Sequence, residues 1–154
     1  MKRLLASALA AVALAACGTD KQAEPKAPQP ASEPSAAGVI RAWADALRGG
    51  DVEGAARYFA VPSLVSNGTP PITLRSRADV RLFNESLPCG AVLERTYRQG
   101  RYTAAVFRLT ERPGRGRCGT GTGDHARTAF IIRGGKIRQW RRLANPQAPP
   151  APIV

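Results

Sequence analysis

Few groups in this chain can do covalent or proton-transfer chemistry: there is one histidine and there are three cysteines among 154 residues. His125 follows Asp124 at the end of a glycine-rich stretch, ERPGRGRCGTGTGDH. Such a pair offers one base and at most two metal ligands. No C-x-x-C pair stands elsewhere to complete a zinc set, so neither metal nor cofactor is expected. His125 reads as a solvent-facing loop histidine. The glycine-rich stretch lacks the G-x-x-x-x-G-K-[ST] spacing of a phosphate loop, and no helix clearly follows to present its amides. It reads as a hairpin loop held at Cys118. Asp79 and Glu85 fall in a helical pattern, where capping and solvation explain them. No carboxylate pair occupies a stretch that reads as dry, and no catalytic residue is assigned.

Cations are the abundant reactive class, and the chain carries a formal net charge of +12. In GGKIRQWRRL, Gly134 to Leu143, Lys136, Arg138, Arg141 and Arg142 surround Trp140. Arginines around an aromatic suit a nucleic acid, an acidic lipid or the edge of a sheet. The period of two after the Gly-Gly turn makes this stretch a terminal strand. It puts Arg138, Trp140 and Arg142 on one face. Arg95, Arg98, Arg101, Arg108, Arg138 and Arg141 are expected to form a basic outer sheet surface.

The N-terminus bears on the compartment. Met1, Lys2 and Arg3 precede LLASALAAVALAA, a run too short for a stable transmembrane helix but suited to the core of a secretory signal. Leu14, Ala15 and Ala16 before Cys17, with Gly18 after it, resemble a bacterial lipobox. That resemblance implies a signal over residues 1–17 and lipidation of Cys17. It implies anchoring at the extracytoplasmic face of the bacterial cell membrane. Cys89 and Cys118 then remain as an even pair in an oxidising compartment, and a disulfide between them is expected. Export also removes intracellular nucleic acid as a partner and leaves anionic lipids and acidic envelope polymers.

The elements that must hold these groups occupy the middle of the chain. Residues 18–37, rich in Pro, Ala, Glu, Lys and Ser, read as a flexible tether, and 145–154 as a disordered Pro-rich tail. Residues 38–144 make one small domain. Val39, Ile40, Trp43, Ala46 and Leu47 recur at helical spacing until Gly49 and Gly50. Asp51 caps a second helix, VEGAARYFA, and Ser76 with Asp79 opens a third, RADVRLFNESL. Short extended pieces are expected over 64–66 and 72–75. Beyond Cys89, AVLERTYRQ, YTAAVFRLT, ARTAFIIR and KIRQWRRL alternate as two antiparallel hairpins. The expected class is α+β, with about three helices packed on one face of a curved sheet.

RAWADALRGGDVEGAARYFA followed by TAFIIRGGKIRQW resembles the nuclear-transport-factor-2-like superfamily, also called SnoaL-like. The resemblance covers Gly38 to Leu143 and implies a cone, in which a bent sheet wraps the helices around an apolar pocket. Its members include isomerases, dehydratases, cyclases and binding modules, so fold leaves function open. Ketosteroid isomerase chemistry needs a carboxylate base and two acidic donors. The resemblance sets Trp43, Asn67 and Thr128 at those positions, and none supplies the required group. Strand alternation puts Thr128, Phe130 and Ile132 on one face, and the resemblance implies that this face points into the cone. Trp43, Tyr58, Asn67, Thr128, Phe130, Trp140 and Arg142 are the candidate pocket lining, with Arg142 at the mouth for an anionic or carbonyl group. A filled aromatic core is the competing expectation.

The function expected is non-catalytic binding of a small apolar or anionic ligand, or of an envelope protein, by a membrane-anchored lipoprotein. Alternatives are a pocket enzyme of the isomerase or dehydratase type and a basic adaptor for anionic lipids or polymers. A homodimer through the open sheet face is a further expectation from the resemblance.

Overall fold

The computed structural model describes residues 34–145. The signal, Cys17, all but the end of the tether, and the tail after residue 145 lie outside the described residues.

Helix α1 spans Ala36–Arg48, starting inside the stretch read as tether. Ser35 explains the earlier start, because its Oγ accepts the Gly38 N–H at 3.1 Å and caps the helix. Val39, Ile40, Trp43, Ala44 and Leu47 form its buried stripe. The turn that follows needs Gly50 at φ +81°, a region that favours glycine. Asp51 then caps α2, Val52–Arg57, by accepting the Gly54 N–H at 2.7 Å.

Helix α2 ends earlier than its sequence suggests, and Phe59 and Ala60 belong instead to strand β1, Phe59–Ser66. The cause lies far along the chain. The Ile137 N–H donates to the Tyr58 carbonyl at 2.7 Å, and Lys136 Nζ donates to the Arg57 carbonyl at 2.7 Å. These tertiary bonds take carbonyls that a longer helix would have used. A short strand β2, Ile72–Leu74, pairs antiparallel with β1. Helix α3, Arg77–Ser86, opens with the expected capping box between Ser76 and Asp79. The Asp79 carboxylate accepts the Arg75 and Ser76 N–H groups at 2.9 and 3.0 Å. These bonds favour its charged form and lower its pKa.

Four long strands complete the domain: β3 Gly90–Gln99, β4 Tyr102–Thr110, β5 His125–Arg133 and β6 Lys136–Leu143. The sheet order is β2-β1-β6-β5-β4-β3, antiparallel except for the parallel pair β1–β6. Helices α1 and α3 pack on one face. Bulges interrupt β3 and β6, as in a bent sheet. The architecture is therefore α+β, with three helices against an open curved sheet.

The bulge in β6 corrects the alternation read from KIRQWRRL. Ile131 faces Gln139 while Ile132 faces Ile137, so Arg138 is the extra residue. Ile137 and Trp140, three apart, both reach the core, and Arg138 is exposed rather than sharing Trp140's side. Arg98 departs from its assignment as well. It lies opposite Thr103, one step out of phase with the outer-facing Tyr97.

The interior is largely filled by aromatics. Trp43 meets Phe59, Phe107, Phe130 and Trp140 edge-on, with centroids 5.7–6.5 Å apart, and Phe83 meets Trp140 at 5.2 Å. Cys89 and Cys118 are bonded, with Cα atoms 4.5 Å apart. The bridge joins the glycine-rich loop to the residue before β3.

Candidate ligand cleft

Trp43 Nε1 donates to Asn84 Oδ1 at 2.8 Å, and Asn84 Nδ2 donates to the Val80 carbonyl at 2.8 Å. Both side chains are buried. The first-helix position that the resemblance equates with an oxyanion donor has thus spent its only N–H inside the fold.

Beside Trp43 the aromatic packing leaves a cleft of about 80 Å³. It is walled by Leu47, Leu87, Pro88, Cys89, Ala91, Phe107, Leu109 and Ala126. Trp43, Asn67, Thr128, Trp140 and Arg142 also line it. β5 and β6 position the last three, since Thr128 pairs directly with Arg142, and Phe130 with Trp140. Arg142 and Asn67 are exposed at the rim, whereas Thr128 and Trp140 are buried.

Two candidate residues stand elsewhere. Tyr58 ends α2 and packs on the edge of the core, its backbone carbonyl engaged by β6. Phe130 is fully buried, packs edge-on against Trp43 and Phe107, and is not part of the cleft lining.

The polar endowment of the cleft is narrow. Among the described residues no Asp, Glu or His lines it. Trp140 Nε1 is buried and has no hydrogen-bond partner. An unpaired buried donor costs about 1–3 kcal/mol. The polar chemistry available at the rim is a charge-assisted grip by Arg142.

His125 lies on the opposite face of the sheet, exposed and 3.1 Å from Glu94 Oε2. Asp124 is nearby, and both border a larger open groove of about 860 Å³. Neither has access to the cleft. Among the described residues no cluster of three or more His, Cys, Asp or Glu could hold a metal ion.

The glycine-rich loop hides a group that sequence reading missed. Glu111 accepts the N–H groups of Cys118 and Gly119 at 3.2 and 2.9 Å and the Thr122 hydroxyl at 3.1 Å. These donors hold its pKa below the usual carboxylate value. The Cys118 and Gly119 amides, the kind of donors a phosphate cradle needs, already bind an internal carboxylate. Asn84, in the sequon Asn84-Glu-Ser, is wholly buried, so no glycan can attach in the folded state.

Arg112 was also missed, since nothing local distinguishes it from the other loop arginines. It is buried, with Nε donating to the Leu87 carbonyl at 2.9 Å and Nη2 to the Glu85 carbonyl at 2.9 Å and the Asn84 carbonyl at 3.3 Å. It thereby caps the C-terminus of α3, where a cation complements the helix dipole. Burial lowers its pKa, with Glu85 opposing the shift.

No family model matches the sequence, and no curated relative does. The fold does have solved counterparts. A nuclear-transport-factor-2-like protein of unknown function from Cytophaga hutchinsonii is similar at a TM-score of 0.52 and 10% identity, over 68% of this chain and 85% of that one. A hypothetical protein with a ketosteroid isomerase-like fold from Catenulispora acidiphila, in complex with trimethylamine, is similar at a TM-score of 0.50 and 17% identity, over 69% and 84%. A polyketide-cyclase-like fold match from Sinorhizobium meliloti has a TM-score of 0.52 at 14% identity, over 68% and 93%. At these identities the likeness concerns the backbone, and it agrees with the topology above: this chain has the nuclear-transport-factor-2-like, or SnoaL-like, fold.

Proposed function

We propose that the domain is a non-catalytic binding module, held at the extracytoplasmic membrane face by a lipid on Cys17, whose cleft takes one end of a small ligand. The observation that carries this reading is the lining itself: apolar walls with a cationic rim at Arg142 and, among the described residues, no carboxylate or imidazole to move a proton. Proton-transfer chemistry of the isomerase type finds Asn67 where a base is required, and the Trp43 N–H is committed to Asn84.

The volume narrows the ligand class. About 80 Å³ is worth roughly two or three waters, far below the ~300 Å³ or more of a site that engulfs a whole drug-sized molecule. The cleft therefore suits a short apolar segment bearing a carboxylate or carbonyl, the oxygen directed to Arg142 at the rim. The bridge between Cys89 and Cys118 suits an oxidising compartment, in keeping with export.

Titration of indole fluorescence with short-chain carboxylates and ketones tests the binding reading. Arg142→Ala should weaken the carboxylates about tenfold, the worth of one charge-assisted hydrogen bond. Ala126→Leu should abolish binding by filling the cleft. Binding that survives Ala126→Leu, or turnover of an enolisable ketone by the parent protein, refutes the proposal. The anchor is tested separately: Cys17→Ala should move the protein out of the membrane fraction, and full retention there refutes lipidation.

A further inference from the structure

The face of the sheet turned away from the helices carries an ordered set of cations. Residues directly opposite one another on neighbouring strands share a face. One row across this face runs Arg95, Val106, Arg127, Leu143, and the next runs Tyr97, Ala104, Ala129, Arg141. Ala104 and Ala129 are buried at the bottom, between longer arginine and tyrosine side chains. Two open hollows follow. One holds Arg95, Tyr97 and Arg127, and the other holds Arg101, Tyr102 and Arg141.

The guanidinium groups are positioned but not neutralised. Arg127 Nη2 donates to the Tyr97 hydroxyl at 2.7 Å, and Arg101 Nη2 donates to the Tyr102 hydroxyl at 3.2 Å. Arg95 lies over the Tyr97 ring at 5.7 Å, and Arg101 over the Tyr102 ring at 5.2 Å. Among the described residues the ion pairs on this face are Arg108–Glu94 and His125–Glu94. Among the described residues, Arg95, Arg101, Arg127 and Arg141 have no carboxylate partner. Asp124 is the other acid here, at the far end of the first hollow. Most of the remaining carboxylates are on the helical side, where Asp51 and Asp79 cap helices and Asp45, Glu53 and Glu85 pair with arginines.

We propose that this face is a docking surface for a linear phosphodiester polymer with a flexible polyol backbone. Arginine forks match phosphate oxygens two at a time, and all four unpaired cations here are arginines. Strands about 4.8 Å apart place Arg95 and Arg127, two strands apart, roughly 10 Å from each other, a span that successive anionic units of one chain can bridge. A bilayer fits less well, because the exposed large apolar side chains of the described residues, Ile72 and Leu82, lie on β2 and α3 and not on this face. Stacking polymers fit less well too. Both tyrosine rings already carry a guanidinium, which leaves less aromatic surface for a base or sugar ring. This inference is independent of the cleft.

The test is binding of labelled poly(glycerol phosphate) to the full chain by fluorescence anisotropy. With four arginines engaged, the salt slope reaches at most about −2.8, so affinity should fall up to ~20-fold between about 50 and 150 mM salt. Arg95→Gln/Arg141→Gln should weaken binding at least about fivefold at low salt and flatten the slope by about 1.4. Arg41→Gln/Arg57→Gln removes the same charge from the helical side and should cost less than about twofold. Vesicles of phosphatidylglycerol and a polyuronate are expected to bind at least about tenfold more weakly. Equal losses in the two double variants would reduce the effect to net charge and overturn the proposal. So would tighter binding to vesicles or polyuronate, or no binding to the phosphodiester polymer at low salt.

Discussion

Replacing Arg112 with methionine keeps an unbranched apolar stem but removes the guanidinium, its cation and all three of its hydrogen bonds. Two of those bonds, to the Leu87 and Glu85 carbonyls, are 2.9 Å long, and the third, to Asn84, is 3.3 Å. Hydrogen bonds from a charged donor contribute about 1.5–3 kcal/mol each. Relief from desolvating the guanidinium, whose Nη1 has no partner, offsets part of the loss. A net destabilisation of about 3 kcal/mol is expected, a large share of the ~5–15 kcal/mol that holds a domain folded. At roughly 5 °C per kcal/mol for a domain of this size, the Tm should fall by about 15 °C. Thermal unfolding followed by circular dichroism, with the disulfide intact, measures it. Arg112→Lys should lie between the two, since a lysine ammonium lacks the planar fork. Because Arg112 holds the helix end that carries Asn84, hydrogen exchange at the Trp43 indole should also accelerate. A Tm within about 3 °C of the parent, together with unchanged indole exchange, refutes the assignment of Arg112 as the cap of α3.

Reduction of the Cys89–Cys118 bridge, whose partners are 29 residues apart, should destabilise the domain by about 3.6 kcal/mol in the loop-entropy model. Urea unfolding with and without reductant measures that, and equal midpoints would refute it. Asn84→Leu strands the Trp43 N–H and should cost about 2–3 kcal/mol, while Asn84→Leu/Trp43→Phe removes the orphan and should cost less than the sum of the single changes. Strict additivity would show that the bond matters little. Glu111 has a folded pKa below its ordinary value of 4.5, so its contribution is complete above that value and is lost as pH falls through the folded pKa. The Tm gap between the parent and Glu111→Gln should therefore be widest near neutrality and close below pH 4.5. A gap that widens in acid contradicts this.

Local signals carried most of the secondary structure. Asp51 and the Ser76–Asp79 box announce their helices because a cap interacts within four residues of itself. The strands after Cys89 announce themselves by alternation. Features set by distant partners were not legible. The end of α2 depends on Ile137 and Lys136, and the side on which Arg138 emerges depends on a bulge against β5. Arg112 and Glu111 look like ordinary loop charges until their carbonyl and amide partners are brought beside them. For the candidate cleft, strand phase was enough to bring Thr128, Trp140 and Arg142 together. It did not reveal that Phe130 is buried in the aromatic core away from the cleft lining, because that is a property of packing rather than of phase.

The parallel pairing of β1 with β6 has a consequence for the order of events in folding. Val65 lies beside Trp140, and the last strand of the domain covers one side of the first. No local hairpin can substitute for it, so closing this pair is a late step with a large loop-closure entropy. On a ribosome adding about 5–20 residues per second, β1 would wait roughly 4–15 s for its neighbour. During that interval Phe59 and Val65 have no finished core to enter. A nascent or shortened chain that stops before Lys136 is thus left with an open seam of apolar strand, and the core closes only when the final strand arrives.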